Sequence, residues 1–119
     1  MDDQLHGDTT KVLQELYRQK ARLVTTEFVL LEVADGFSRP RHRAAVIAYL
    51  NGLRQLLPVR IVPLSQALLE QAWQLYCNRK DKDWGLTDCT SFIVMEREAI
   101  TEAFTSDRHF EQAGFAKLM

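Results

Sequence analysis

Two short runs rich in β-branched residues, "RLVTT" (Arg22 to Thr26) and "VRIVPL" (Val59 to Leu64), are each followed at once by a helical pattern. That alternation leaves few folds open. The first run reads as a buried strand, and Thr25 or Thr26 can cap the helix "EFVLLEVADGF", which Gly36 and Pro40 bring to an end. A second helix is predicted over roughly Arg41 to Leu57, with Ala44, Ile47, Ala48 and Leu53 near one stripe and Gly52 weakening its last turn. Ser65 opens a third helix to about Arg79, with Leu68, Leu69, Ala72, Trp73 and Tyr76 facing inward. Strands separated by helices predict βαβ crossovers and a mainly parallel sheet covered on both faces, which is a three-layer α/β/α domain.

The flanking segments fit the same plan. A helix is predicted from about Leu5 to Lys20, on Val12, Leu13, Leu16 and Tyr17. "DKDWG" is a loop, a helix follows from Thr87, "EAFTS" reads as a strand, "DRHFEQAG" as a turn or short helix, and "FAKLM" as a last short strand. The chain has 119 residues, enough for a single domain over residues 1–119 with one modest core. No run of 18 apolar residues is present to span a membrane, and the acidic, polar "MDDQLHGDTT" lacks the pattern of a signal peptide. Cys77 and Cys89 show no metal-ligand spacing, so two free thiols in a reducing cytoplasm are expected. With 15 Lys plus Arg against 16 Asp plus Glu, global charge makes no case for a nucleic-acid partner, although an acidic site can mask a local basic patch.

In open α/β sheets, ligands gather beyond the carboxyl ends of the strands, which directs attention to acids that follow strands. Glu32 lies in the apolar run "FVLLEVA", where a carboxylate is partly desolvated and needs a cation or hydrogen-bond donors. Asp88 falls in the first turn of its helix, with Thr87 as the expected N-cap and Asp88 at the first helical position, free to point outward. Asp107 follows "AFTS", where a strand ends. Each acid also has a plain structural use: Glu32 at a helix edge, Asp88 stabilising a helix dipole, Asp107 starting a turn or capping Arg108 to Gln112. The α/β plan puts all three near one edge of the sheet, and clustered carboxylates repel unless a cation neutralises them. Hard oxygen ligands suit Mg²⁺ or Mn²⁺ rather than zinc. Such a site can activate water against a phosphodiester.

The segments "LVTTEFVLLEVADGF", "DKDWGLTDCTSFIVMEREAI" and "EAFTSDRHFEQAGF" together resemble the PIN domain family, and within it the VapC-type toxins of bacterial toxin–antitoxin pairs. The resemblance runs over nearly the whole chain, and the pair "LTDC" and "SDRHFEQAGF" is its most specific part. It implies a Rossmann-like α/β fold and a Mg²⁺-dependent endoribonuclease. It matches Glu32, Asp88 and Asp107 to acidic ligand positions and Thr87 to a supporting hydroxyl. It further implies an RNA substrate, a VapB-like antitoxin covering the acidic cleft, and a homodimer. One departure concerns the family's opening strand and its Asp. "MDDQLHGD" looks like the loop that follows that strand, and Asp2, Asp3 and Asp8 lie in polar sequence unlike it. The first strand is therefore expected to be missing. The other reading open at this point is a catalytically incomplete relative that acts as a binding or dimerisation module.

"SRPRHR" places Arg39, Arg41 and Arg43 within six residues after the Glu32 helix. They are candidates for RNA phosphates and equally for a solvated helix start. Trp84 could stack on a base, but a Trp in such a loop more often closes the core. The Leu69, Trp73 and Tyr76 stripe reads as core or as a dimer face.

Overall fold

The computed structural model describes residues 11, 14–16, 18–19, 21–55, 59–105 and 107–118. The chain divides into two compact units, one of Arg22–Val94 and one of Met1–Ala21 with Met95–Met119.

In the larger unit, strand β1 (Leu23–Thr26) pairs in parallel with β2 (Val59–Val62), in the register Leu23↔Val59 through Thr26↔Val62. A parallel pair needs a crossover. Helices α1 (Glu27–Gly36) and α2 (Pro40–Gln55) supply it. Thr26 is both the last residue of β1 and the N-cap of α1, its Oγ1 accepting the Val29 N–H at 3.1 Å. Ser65 does the same for α3 (Gln66–Asn78), accepting the Leu68 N–H at 3.1 Å. Each bond satisfies one N–H that the first turn would leave unpaired. Gly36 ends α1 as expected, whereas Pro40 does not terminate a helix but begins α2, where its missing N–H costs nothing.

The core of this unit is Val62, Leu68 and Val94, with Val24, Phe28 and Ile93 packed against them. The inward stripe expected of α3 is narrower than the sequence indicated. Leu68 and Ala72 are buried, but Trp73 is 53 % exposed and Tyr76 43 % exposed. The stripe expected of α2 is likewise not buried: no residue of that helix is, and Ile47 lies in the open. Trp84 does close the core over its loop, edge-on to Phe92 with ring centroids 5.0 Å apart.

Glu27 braces this unit. Its Oε1 accepts the Leu64 N–H at 2.7 Å, just beyond β2, and its Oε2 lies 3.9 Å from Arg54 Nη2 near the end of α2. One carboxylate thus links the start of α1 to both elements that complete the crossover.

In the smaller unit, residues 11, 14–16 and 18 are helical, and the rest of the first predicted helix lies outside the described residues. Strands β3 (Glu102–Ala103) and β4 (Ala116–Lys117) pair in parallel around the short helix α5 (Arg108–Gln112). Both strands are shorter than the sequence predicts. The α/β reading with parallel strands holds: all strand pairs among the described residues are parallel.

Helix α4 (Leu86–Arg97) ends in a Schellman motif. The Ile100 N–H donates to the Met95 carbonyl at 2.8 Å, and the Ala99 N–H to Glu96 at 3.2 Å. Ala99 takes the left-handed position, with φ 56°. Helix α5 ends in the same way, through Phe115 to Phe110 and Gly114 to Glu111, but with a glycine, Gly114, at φ 96°.

Candidate functional site

Asp88 stands in the first turn of α4, which begins at Leu86, one residue earlier than the sequence indicated. Thr87 is therefore inside the helix rather than capping it. Asp88 does not simply point outward: its Oδ2 accepts the Gly85 N–H at 3.0 Å. This is the reciprocal half of a capping box, an acid in the first turn reaching back to the residue before the helix. The bond occupies one acceptor position of a carboxylate that has about four. Asp88 is half-buried, and so is Thr87. Behind them the helix is sealed by Cys89 and Thr90, both wholly buried. The Thr90 hydroxyl donates to the Thr87 carbonyl at 2.6 Å, so it enters the interior satisfied. Burial pushes the Cys89 thiol up, and the neighbouring Asp88 charge adds to the shift.

Glu32 is exposed on α1. The apolar run around it predicts partial burial, but only Leu30 of that helix is buried, and Leu31 is as open as Glu32. The cation or donors that a buried carboxylate would need are therefore not required by its surroundings.

Asp107 is the N-cap of α5. Its Oδ1 accepts the His109 N–H at 2.9 Å, and His109 Nδ1 lies 3.2 Å from the same oxygen. The Asp107 N–H donates in turn to Thr105 Oγ1 at 3.0 Å. The structure thus brings His109 onto Asp107, a pairing that the spacing Asp-x-His allowed but that the sequence alone did not single out. Glu32 and Asp88 belong to the unit Arg22–Val94, and Asp107 to the other.

The three arginines after α1 are not equivalent. Arg43 Nη2 donates to the Ser38 carbonyl at 2.6 Å, and the Ser38 hydroxyl to Ala34 at 2.9 Å, so Arg43 helps to fasten the turn between α1 and α2. Arg41 Nε donates to His42 Nε2 at 3.1 Å. Arg39 is exposed at the start of α2.

Carboxylates are hard oxygen donors of the kind that divalent cations take. Of the two free thiols, Cys77 is exposed and Cys89 is buried.

Comparison with known proteins adds to this picture. The family model described as "PIN domain" matches residues 4–116. Two curated relatives, both named 23S rRNA-specific endonuclease VapC20, come from the CDC 1551 and H37Rv strains of Mycobacterium tuberculosis. Each is 35 % identical over 77 residues, covering 65 % of this chain and 57 % of the relative. The matched region therefore spans little more than half the length of those relatives. Among solved structures, the crystal structure of M. tuberculosis VapC20, titled as a sarcin–ricin loop cleaving toxin, superposes with a TM-score of 0.74 at 29 % identity. That match covers 87 % of this chain and 79 % of the other.

Proposed function

This chain belongs to the PIN domain family, and on that premise we propose that it is a metal-dependent endoribonuclease, the toxin of a toxin–antitoxin pair. The observation that carries the reading is the similarity to the VapC20 endonucleases in both sequence and fold. The substrate we propose is 23S rRNA at its sarcin–ricin loop, the target named for those relatives. PIN nucleases are in general dependent on divalent metal, and the proposed ion is Mg²⁺ or Mn²⁺. Its ligands would be Glu32, Asp88 and Asp107, within one PIN domain over residues 1–119. The bound ion would supply an activated water and charge stabilisation at the phosphodiester.

The chain's own residues have definable parts. The Gly85 N–H fixes the Asp88 carboxylate at the start of α4. Thr87 supports the same turn through its carbonyl, which holds the Thr90 hydroxyl. His109 lies against Asp107, its Nδ1 3.2 Å from Oδ1, and so helps to fix the direction of that carboxylate. Arg39 and Arg41 are proposed to meet RNA phosphates, with Arg43 holding the turn that presents them. The proposed partners are a VapB-like antitoxin and a second copy of the chain, in the cytoplasm. No helix among the described residues is long and apolar enough to cross a membrane.

The test is cleavage of a sarcin–ricin loop RNA by the purified protein with Mg²⁺, with EDTA, and with Asp88→Asn. Cleavage that needs metal and is lost in the variant supports the reading; metal-independent cleavage, or none, overturns it. A second reading, a binding module whose acids are only caps, draws on the local bonds of Asp88 to Gly85 and Asp107 to His109. Calorimetric titration with Mg²⁺ separates the two, because caps alone bind no metal at millimolar concentration.

A further inference from the structure

Outside the acids, one feature of the unit Arg22–Val94 stands at its surface. Trp73 and Tyr76, one turn apart on α3, stack on each other with ring centroids 5.5 Å apart and planes 19° from parallel, although both are exposed. Contiguous exposed aromatic surface of this kind is where binding faces are sought. Each ring lines one of two clefts of contrasting charge.

On the side of Tyr76 lies a cleft of about 470 Å³ lined by Arg79, Lys80 and Lys82 against one carboxylate, Asp83, with Trp84 in its wall. On the side of Trp73 lies a cleft of about 450 Å³ whose charged lining residue is Glu70, held by the Gln66 amide at 3.0 Å. Not every cation of the first cleft is equally available. Arg79 is engaged by Asp81 through two bonds of 3.1 and 3.2 Å, and its guanidinium sits 5.0 Å from the Trp84 ring centroid. Lys82 is 3.7 Å from Asp81. Lys80 is exposed on the cleft. Arg79 thus shapes the wall, Lys80 supplies positive charge that faces solvent, and Lys82, half-buried beside Asp81, adds a second ammonium to the cleft.

We infer that Trp73 and Tyr76 form a base-stacking platform, and Lys80 and Lys82 the adjoining phosphate contacts, of a subsite for single-stranded RNA. The inference rests on the ribonuclease reading for its choice of ligand and goes beyond it by naming residues. Aromatic faces beside a positively charged groove are how single strands are held without sequence readout. The asymmetry of the two clefts fixes the backbone's side: phosphates lie over Lys80 and Lys82, away from the Glu70 carboxylate. A protein partner fits less well, because lysines are depleted at protein interfaces and burying two of them is costly. Cys89, the residue after Asp88, lines the same cleft, so the subsite adjoins the helix start that carries the proposed ligand.

The experiment uses the full chain and a fluorescent uridine dodecamer in EDTA, where no metal-assisted cleavage proceeds. Trp73→Ala is expected to weaken binding about 5- to 150-fold, and Trp73→Phe to restore most of it. Lys80→Gln with Lys82→Gln is expected to lower the slope of log affinity against log salt by about 0.7 per lysine. Unchanged affinity in Trp73→Ala overturns the subsite. So does a change in particle mass by light scattering with RNA affinity intact, which would make the stack a protein interface. Cleavage assays with Mg²⁺ keep the two readings apart. RNA bound through Trp73 but never cut leaves the subsite and removes the nuclease. RNA cut with equal KM by wild type and Trp73→Ala leaves the nuclease and removes the subsite.

Discussion

The Gly85 N–H donates to Asp88 Oδ2 at 3.0 Å, so the acid proposed to bind metal is also tied to the turn that starts its own helix. The two roles separate by substitution. Asn keeps an oxygen that can accept the Gly85 N–H but removes the charge. Asp88→Asn should therefore abolish metal-dependent cleavage while changing stability by less than about 0.5 kcal/mol. Asp88→Ala should lose both the activity and about 1 kcal/mol. Urea unfolding run beside the cleavage assay checks the split, and an active Asp88→Asn would show that the chemistry lies elsewhere.

Glu27 should matter more to folding than its place in a first helical turn indicates. Glu27→Ala removes the acceptor of the Leu64 N–H and the partner of Arg54 together. A loss of about 1–2 kcal/mol is expected from the charged hydrogen bond. Arg54→Ala should cost almost nothing, because that pair is 3.9 Å apart and open to solvent. Chemical denaturation of the two variants gives the comparison, and equal losses would refute the brace.

The two cysteines should differ sharply towards iodoacetamide. Cys77 is exposed and should be alkylated in the folded protein, whereas buried Cys89 should be protected until the chain unfolds. A raised thiol pKa in the fold also sets a sign. The folded chain keeps the Cys89 proton where the unfolded chain has lost it. Stability is therefore full below the ordinary value of 9.0, declines as pH rises above it, and has lost this contribution once the folded thiol ionises too. Comparing denaturation at pH 8 and pH 10 for wild type and Cys89→Ser tests it, since the variant should lack that part of the decline.

Ala99 occupies the left-handed position that Gly114 fills in the equivalent motif at the end of α5. An L-residue pays roughly 1 kcal/mol there that glycine does not. Ala99→Gly should accordingly raise stability by a few tenths to about 1 kcal/mol, visible as a higher denaturant midpoint at constant slope. Gly114→Ala should do the reverse.

Much of the local structure is legible in the sequence because its causes are local. Thr26 and Ser65 announce themselves as hydroxyls between a β-branched run and an apolar helix; Ser65 caps as read, and Thr26 is the one of the two candidate threonines that caps. Asp107 at the start of "DRHFEQ" caps for the same reason. What periodicity does not reveal is how wide a helix's buried face is. Leu68 and Ala72, four apart, mark the line that α3 buries; Trp73 lies 100° round from Ala72 and falls outside it. Glu32 and Leu31 on α1 escape burial in the same way. The start of α4 is misjudged by one residue because Gly85, without a side chain, leaves no mark of its own, and the signal is instead the acid three residues later. The Glu27 brace spans 37 residues of sequence and has no local signal at all.

Thr26 closes β1 and caps α1 with no residue between strand and helix. Such a joint has no slack, so the strand sets the angular phase of everything on α1. A residue inserted between Glu27 and Leu31 would turn Glu32 by about 100° about the helix axis while leaving the strand pairing untouched. The junction therefore works as an index pin: sequence drift on either side can alter the side chains, but the direction in which position 32 points is inherited from the sheet.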